Sequence, residues 1–201
     1  MVWDAYKKVK RNKGSAGVDH QSLEAFDKVR SKELYKLWNR LSSGSYFPSH
    51  VKRVEILKDD GRKRPLGIPT VSDRIAQQVI KTYVEPRLEA IFVEHSFGYR
   101  PNKSAHGAIQ EVLKNVRKYS WVIDMDIQGF FDNVDHGLLF KALEVHVFEK
   151  WILLYIRRWL ETAIELEDGT LIKSTGKGTP RTICFFSPTA DGFFLCTPVA
   201  A

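Results

Sequence analysis

Apolar residues along the chain fall into two spacings, one helical and one alternating. Leu23 and Phe26 open a helical pattern after Ser22, and Leu34, Leu37 and Leu41 continue it until the serines from 42 to 45 end it. Val51 to Leu57 reads as a strand. Lys58 to Arg62 reads as a turn built on Asp60-Gly61, and Arg64 to Pro69 as the returning strand. Pro65 and Pro69 predict that this second strand is irregular or lies at a sheet edge. Ser72 is the expected cap of a long helix carrying Ile75, Val79, Ile80 and Tyr83, which Pro86 is expected to kink or break. A loop over 96–103 leads to a helix from about 104 to 118, with Ala108, Val112 and Val116 on one side. Trp121 to Asp126 is predicted to be a strand. Helical stretches follow around 138–147 and 151–162, and a hairpin turns on Asp168-Gly169. Tyr6 to Gly14 reads as a basic opening segment, and Ser15 to Asp19 as a loop. The expected fold class is α+β, with helices packed on a small, mostly antiparallel sheet.

Composition narrows the class. With 201 residues, 43% hydrophobic and 12% aromatic, the chain can bury a real core. No apolar run reaches the length of a membrane span, and the N-terminus lacks a signal-peptide layout, so the expectation is a cytoplasmic protein without a membrane partner. Cys184 and Cys196 have neither a disulfide-framework pattern nor a metal-ligand spacing. The net charge of +7 is unevenly spread. Residues 1–120 hold 24 basic and 13 acidic side chains, a balance of +11, while residues 121–201 hold 7 and 11, a balance of −4. A basic first half suits a bound polyanion, or simply a solvated surface.

Chemistry concentrates in Val122-Ile123-Asp124-Met125-Asp126-Ile127-Gln128-Gly129-Phe130-Phe131-Asp132-Asn133-Val134-Asp135-His136. A carboxylate at the end of an apolar run is costly unless a cation neutralises it, and a divalent metal ion is the usual reason to place one there. Asp124 shares its parity with Asp126 and is the weaker candidate. Asp132 and Asp135 read as turn and cap acids, Asp135 suiting a helix N-cap.

This stretch resembles the first catalytic aspartate motif of reverse transcriptase palms, most closely those of group II intron-encoded proteins. Three further stretches resemble motifs of that family, in family order. Asn12 to Asp19 is similar to an N-terminal extension motif that retroviral enzymes lack. Arg64-Pro65-Leu66-Gly67-Ile68-Pro69-Thr70-Val71-Ser72-Asp73-Arg74 is similar to the fingers motif, and His95 to His106 to the motif after it. Gly178-Thr179-Pro180 begins the next motif, after which the match stops.

The resemblance implies a two-metal polymerase. Asp126, assisted by the carbonyl of Ile127, would hold two Mg2+ ions. Phe131 would sit under the incoming sugar and exclude a 2′-hydroxyl. Arg64, with Lys58 on the other arm of the hairpin, would contact the triphosphate. Lys10, Arg11, Lys13, Tyr99, Arg100 and Lys103 would face RNA, and Gly14 and Gly17 would let backbone approach it. Phe97 reads equally well as a core residue, and His106 as structural. The implied partners are an RNA template (intron RNA), a DNA primer and deoxynucleoside triphosphates. The sequence assigns no oligomeric state.

The partner motif Tyr-Ala-Asp-Asp does not occur among the 201 residues. The expected organisation is therefore an N-terminal extension and fingers over 1–75, fingers and an incomplete palm over 76–180, and a non-homologous tail over 181–201. Ser187-Pro188 in that tail suggests a shift of reading frame near codon 181. Such a fragment is expected to have little polymerase activity alone. A non-catalytic RNA-binding protein or splicing cofactor, and an unstable pseudogene product, are the alternatives.

Overall fold

The longest element, Val71–Glu89, is also the most buried, and the other helices are arranged around it. In the computed structural model this is α4. It buries Val71, Ile75, Ala76, Val79, Ile80, Val84 and Leu88, far more than a single amphipathic stripe. The structure describes residues 1–57, 61, 63–98, 100–125, 127 and 129–179, with the backbone alone at Arg64.

α1, Val2–Asn12, lies along α4 and buries Ala5, Tyr6 and Val9. The segment expected only as a basic opening is thus a helix, its few apolar positions lying among cations. α2, Leu23–Lys28, begins at Ser22, whose side chain accepts a hydrogen bond from the Ala25 N–H. α3, Arg30–Ser42, follows after Val29 leaves helical geometry, so the single expected pattern is two helices.

The hairpin is as expected. β1, Val51–Leu57, pairs antiparallel with β2, Lys63–Ile68, with Val54 opposite Leu66 and Glu55 opposite Pro65. β2 is an edge strand, which tolerates its proline. β3, Ile164–Glu165, and β4, Leu171–Ile172, form the second hairpin. The sheet order is β2-β1-β3-β4, and its centre is a parallel pairing of Val51 with Ile164 and Lys52 with Glu165. The sheet is thus mixed, with two antiparallel pairings and one parallel.

The cap of α4 lies two residues earlier than the expected Ser72. Thr70 is its N-cap, accepting from the Asp73 N–H at 3.2 Å and donating to Asp73 Oδ2 at 2.6 Å. The helix also continues through Pro86 to Glu89. A missing N–H three residues from a helix end removes only one hydrogen bond.

α5, Ala105–Val116, is capped by Ser104, which accepts from the Gly107 N–H at 3.1 Å. None of its residues is buried. The segment expected as a strand from Trp121 is not one: residues 121–125 carry no strand assignment and are exposed. A strand needs a ladder partner, and none of the described residues supplies one. α6, Phe130–Asn133, is one turn. α7, His136–His146, starts at Asp135, which accepts from the Leu138 N–H at 3.0 Å as a cap. α8, Lys150–Leu160, buries Ile152, Tyr155, Ile156, Trp159 and Leu160. The core joins α1, α3, α4, α7 and α8.

Candidate functional site

Two sequence-distant motifs meet beside α6. The Thr179 N–H donates to the Phe131 carbonyl at 2.8 Å, and the Gly178 N–H to the Val134 carbonyl at 2.8 Å. The His136 N–H donates to the Gly176 carbonyl at 3.1 Å, and its Nε2 lies 2.7 Å from the Gly178 carbonyl. Gly178 has φ 77°, and a Cβ there would lie 2.9 Å from the Asp132 carbonyl oxygen. Only glycine allows this approach without strain. The Gly-Thr segment is therefore stapled along the Phe-Phe-Asp-Asn-Val segment.

The β1–β2 hairpin faces this junction across a cleft of about 140 Å³, lined by Arg53, Pro65, Gly67, Asp132, Ile164 and Thr179 among others. A second cleft of about 230 Å³ continues along β3, β4 and residues 173–179. Phe131 is half-buried against the core and meets Phe130 edge-on at 5.4 Å. Its ring is thus held firmly at the junction.

The remaining residues of the expected nucleotide and metal site are placed less completely. Lys58 and Asp126 lie outside the described residues. The Arg64 backbone pairs with Ile56. Ile127 is exposed, and its carbonyl accepts from the Phe130 N–H at 3.3 Å. Among the described residues no three His, Cys, Asp or Glu side chains converge. The described residues therefore do not by themselves make a metal site.

The residues expected to face RNA divide into two groups. Arg11 and Lys13 are exposed at the end of α1. Lys10 pairs with Asp27 at 2.8 Å. Tyr6 also donates to Asp27, and Arg30 reaches it at 3.1 Å. The Lys10 hydrogen bond, then those of Tyr6 and Arg30, hold the Asp27 carboxyl far below the usual carboxylate range. Arg100 is drawn inward. Its Nε and Nη2 donate to Glu89 at 3.0 and 2.6 Å, and its Nη1 to the carbonyls of Val93 and Ser96 at 2.7 and 2.9 Å. With its side chain only 8% exposed, it ties the loop after α4 to the end of that helix. Lys103 donates to the Glu94 carbonyl at 2.8 Å and covers the Phe97 ring at 4.8 Å. Phe97 is half-buried, and His106 is exposed. Tyr99 lies outside the described residues.

The glycines of the opening motif serve the protein's own packing. Gly17 lies against the backbone of Pro69 and Thr70, where a Cβ would stand 2.7 Å from the Thr70 nitrogen. Gly14 sits against the Arg74 guanidinium. Arg74 donates to the carbonyls of Lys13 at 3.2 Å and Ser15 at 2.8 Å, latching the opening segment onto α4. Sequence reasoning missed this latch, because nothing in the local pattern pairs Arg74 with carbonyls about 60 positions earlier. It also missed the buried group formed by Tyr46, Asp73 and Thr70, in which Tyr46 donates to Asp73. Burial pushes the Asp73 carboxyl up, against the pull of the Thr70 and Tyr46 hydrogen bonds. The Thr-x-x-Asp spacing was the available signal.

Residues 56–183 match the family described as reverse transcriptase (RNA-dependent DNA polymerase). The group II intron-encoded protein LtrA of Lactococcus lactis subsp. cremoris is 31% identical over 184 residues, which is 90% of this chain and 30% of LtrA. Protein YkfC of Escherichia coli (strain K12) is 34% identical over 84% of this chain and 44% of its own length. A putative COX1/OXI3 intron 1 protein of Saccharomyces cerevisiae is 29% identical over 86% of this chain and 21% of its own. A solved partial Cas6-RT-Cas1–Cas2 complex shares the fold, with a TM-score of 0.56 at 22% identity over 90% of this chain. The chain thus spans less than half the length of these curated relatives. No helix among the described residues is long and apolar enough to cross a membrane. The family match from residue 56 to 183 takes in β2, the paired phenylalanines and the stapled Gly-Thr segment, and the chain belongs to the reverse transcriptase family.

Proposed function

We propose that this chain forms the nucleotide- and template-handling portion of a group II intron-type reverse transcriptase and maturase, copying RNA into DNA. The observation that carries this reading is the junction of the Phe130-Phe131 turn with the Gly178-Thr179 segment, opposite the β1–β2 hairpin. The family binds nucleic acid and uses divalent metal ions. Magnesium is the ion proposed for Asp126 and the Ile127 carbonyl, because hard oxygen donors suit it and it retains its own waters. When bound, it would supply charge neutralisation for nucleotidyl transfer.

The chain's own residues bind and select. Arg64 and Lys58 hold the triphosphate, Arg as a fork and Lys as a point charge. Phe131 blocks a 2′-hydroxyl by steric contact. Arg11 and Lys13, with Lys10, Tyr99 and Lys103, meet the RNA template or the DNA primer, and Arg100 positions the loop between them. Residues 1–75 act as extension and fingers and residues 76–180 as the start of the palm, and the family match ends at residue 183, just inside the segment 181–201. A cytoplasmic setting, where RNA, deoxynucleotides and magnesium occur together, belongs to the same reading.

The test is a chimaera joining residues 1–179 to the part of LtrA that follows its aligned region. Magnesium-dependent extension of a DNA primer on RNA is expected, lost in Asp126→Ala, with Phe131→Val admitting ribonucleotides. A chimaera that folds and binds primer–template without extending it overturns the proposal.

A further inference from the structure

His136 is the first residue of α7, yet its ring serves a different segment. The cap of α7 is Asp135, whose carboxyl accepts from the Leu138 N–H. The His136 ring reaches instead across 42 positions to Gly178, with Nε2 2.7 Å from the carbonyl oxygen. A carbonyl can only accept, so the proton lies on Nε2 and the ring donates. The His136 N–H donates to the Gly176 carbonyl at 3.1 Å. One residue thus holds the carbonyls on both sides of Lys177, next to an isolated antiparallel bridge between Asp135 and Lys177.

The Gly178 carbonyl and the Thr179 N–H belong to one planar peptide unit. His136 holds the carbonyl end of that plane, and the N–H end donates to the Phe131 carbonyl at 2.8 Å. Turning the plane over would break both bonds. The glycine before it, at φ 77°, resists such a turn little, because no Cβ biases its backbone. The His136 ring is therefore the side chain that fixes the orientation. Thr179 is buried and lines both clefts, as does Asp132, the neighbour of Phe131. His136 lines neither, so it acts on the clefts only through the peptide it holds.

We propose that His136 is a positioning residue for nucleotide selection. Its Nε2–H locks the Gly178–Thr179 peptide and, through the Thr179 N–H, holds the Phe131 turn where Phe131 rejects a 2′-hydroxyl. The selection role rests on the polymerase reading, whereas the lock itself is read without any nucleotide.

The test uses the full 201-residue chain. Long-range nitrogen–proton NMR of the parent should show His136 as the Nε2–H tautomer, with that proton protected from water. Amide exchange at Thr179 should quicken about fivefold in His136→Ala, the worth of one hydrogen bond, while exchange in α4 stays slow. His136→Gln should restore protection, because the glutamine amide nitrogen stands as many bonds from Cα as Nε2 does. His136→Asn, one bond shorter, should not. The preference for dTTP over UTP in magnesium-dependent binding should fall about fivefold in the alanine variant and return with glutamine. A tie with no part in selection would leave that preference unmoved. If His136→Ala fails to fold, glutamine against asparagine carries the same comparison.

An Nδ1–H tautomer in the parent overturns the proposal. So does Thr179 exchange that is equal in the parent and the alanine variant, or a dTTP preference that survives His136→Ala or that glutamine fails to restore. A parent chain that binds neither nucleotide defeats the polymerase reading and with it the selection role, while the ring and exchange results still decide whether the lock exists.

Discussion

Asp27 gathers a lysine, an arginine and a tyrosine between α1 and α2, and that fixes how the region responds to acid. Its carboxyl is held below the ordinary range first by the Lys10 hydrogen bond. In the unfolded chain it titrates near ~3.9. A depressed folded value means its contribution is complete above that point and is lost as the pH falls toward the folded value. Asp27→Asn should therefore melt below the parent at about pH 7, with the gap narrowing toward about pH 3. Thermal unfolding across that range checks it, and a gap that is constant with pH would count against this account. Tyr46 is a harder case. It is 4% exposed and donates to the buried Asp73. Tyr46→Phe leaves that carboxyl one donor short and should cost about 1–3 kcal/mol in denaturant unfolding. Gly17→Ala should cost a similar about 1–3 kcal/mol, because the new methyl meets Thr70 backbone that cannot move aside.

At the scale of elements, α4 depends on how it begins. Thr70 is 2% exposed and both caps the helix and orients Asp73. Thr70→Ala should lower stability by about 1–2 kcal/mol, and Thr70→Ser should restore most of it. Equal loss in both variants would assign the effect to packing of the threonine methyl instead. Much of this level was legible in the chain. The β1–β2 hairpin declared itself through Asp60-Gly61 and flanking alternation, α5 through its stripe and Ser104, and α7 through Asp135. The failures share a cause. α1 hid its few apolar contacts among lysines, and they matter only because α4 lies beside them. Residues 121–125 carry a strand pattern with no partner strand among the described residues, so pattern and structure part company there. In the candidate site, Phe131 and the Gly178 staple follow motif spacing. The inward turn of Arg100 depends on Glu89 and two loop carbonyls that no local rule links to it.

For the whole molecule, the concentration of positive charge in residues 1–120 predicts RNA affinity that falls steeply with salt. Arg11→Ala and Lys13→Ala should each reduce the log–log salt slope by about 0.7 on single-stranded RNA. Arg100→Ala should leave that slope unchanged and instead lower stability by about 1–3 kcal/mol, since its donors are spent inside the protein. Titrations at several salt concentrations, paired with melts, separate the two classes. The parallel pairing of Val51 with Ile164 has a consequence in time as well as space. The same closure joins the Tyr155 hydroxyl to the Leu41 carbonyl, 114 positions earlier. On a ribosome, the 96 residues from the end of β2 at Ile68 to Ile164 take roughly 5 to 19 s to synthesise. Through that period the β1–β2 hairpin waits with its inner edge unpaired, a state that invites chaperone capture or aggregation. Such long-range closure also places this chain among slow folders. Its yield during expression should therefore respond to translation rate and growth temperature more than its final stability would suggest.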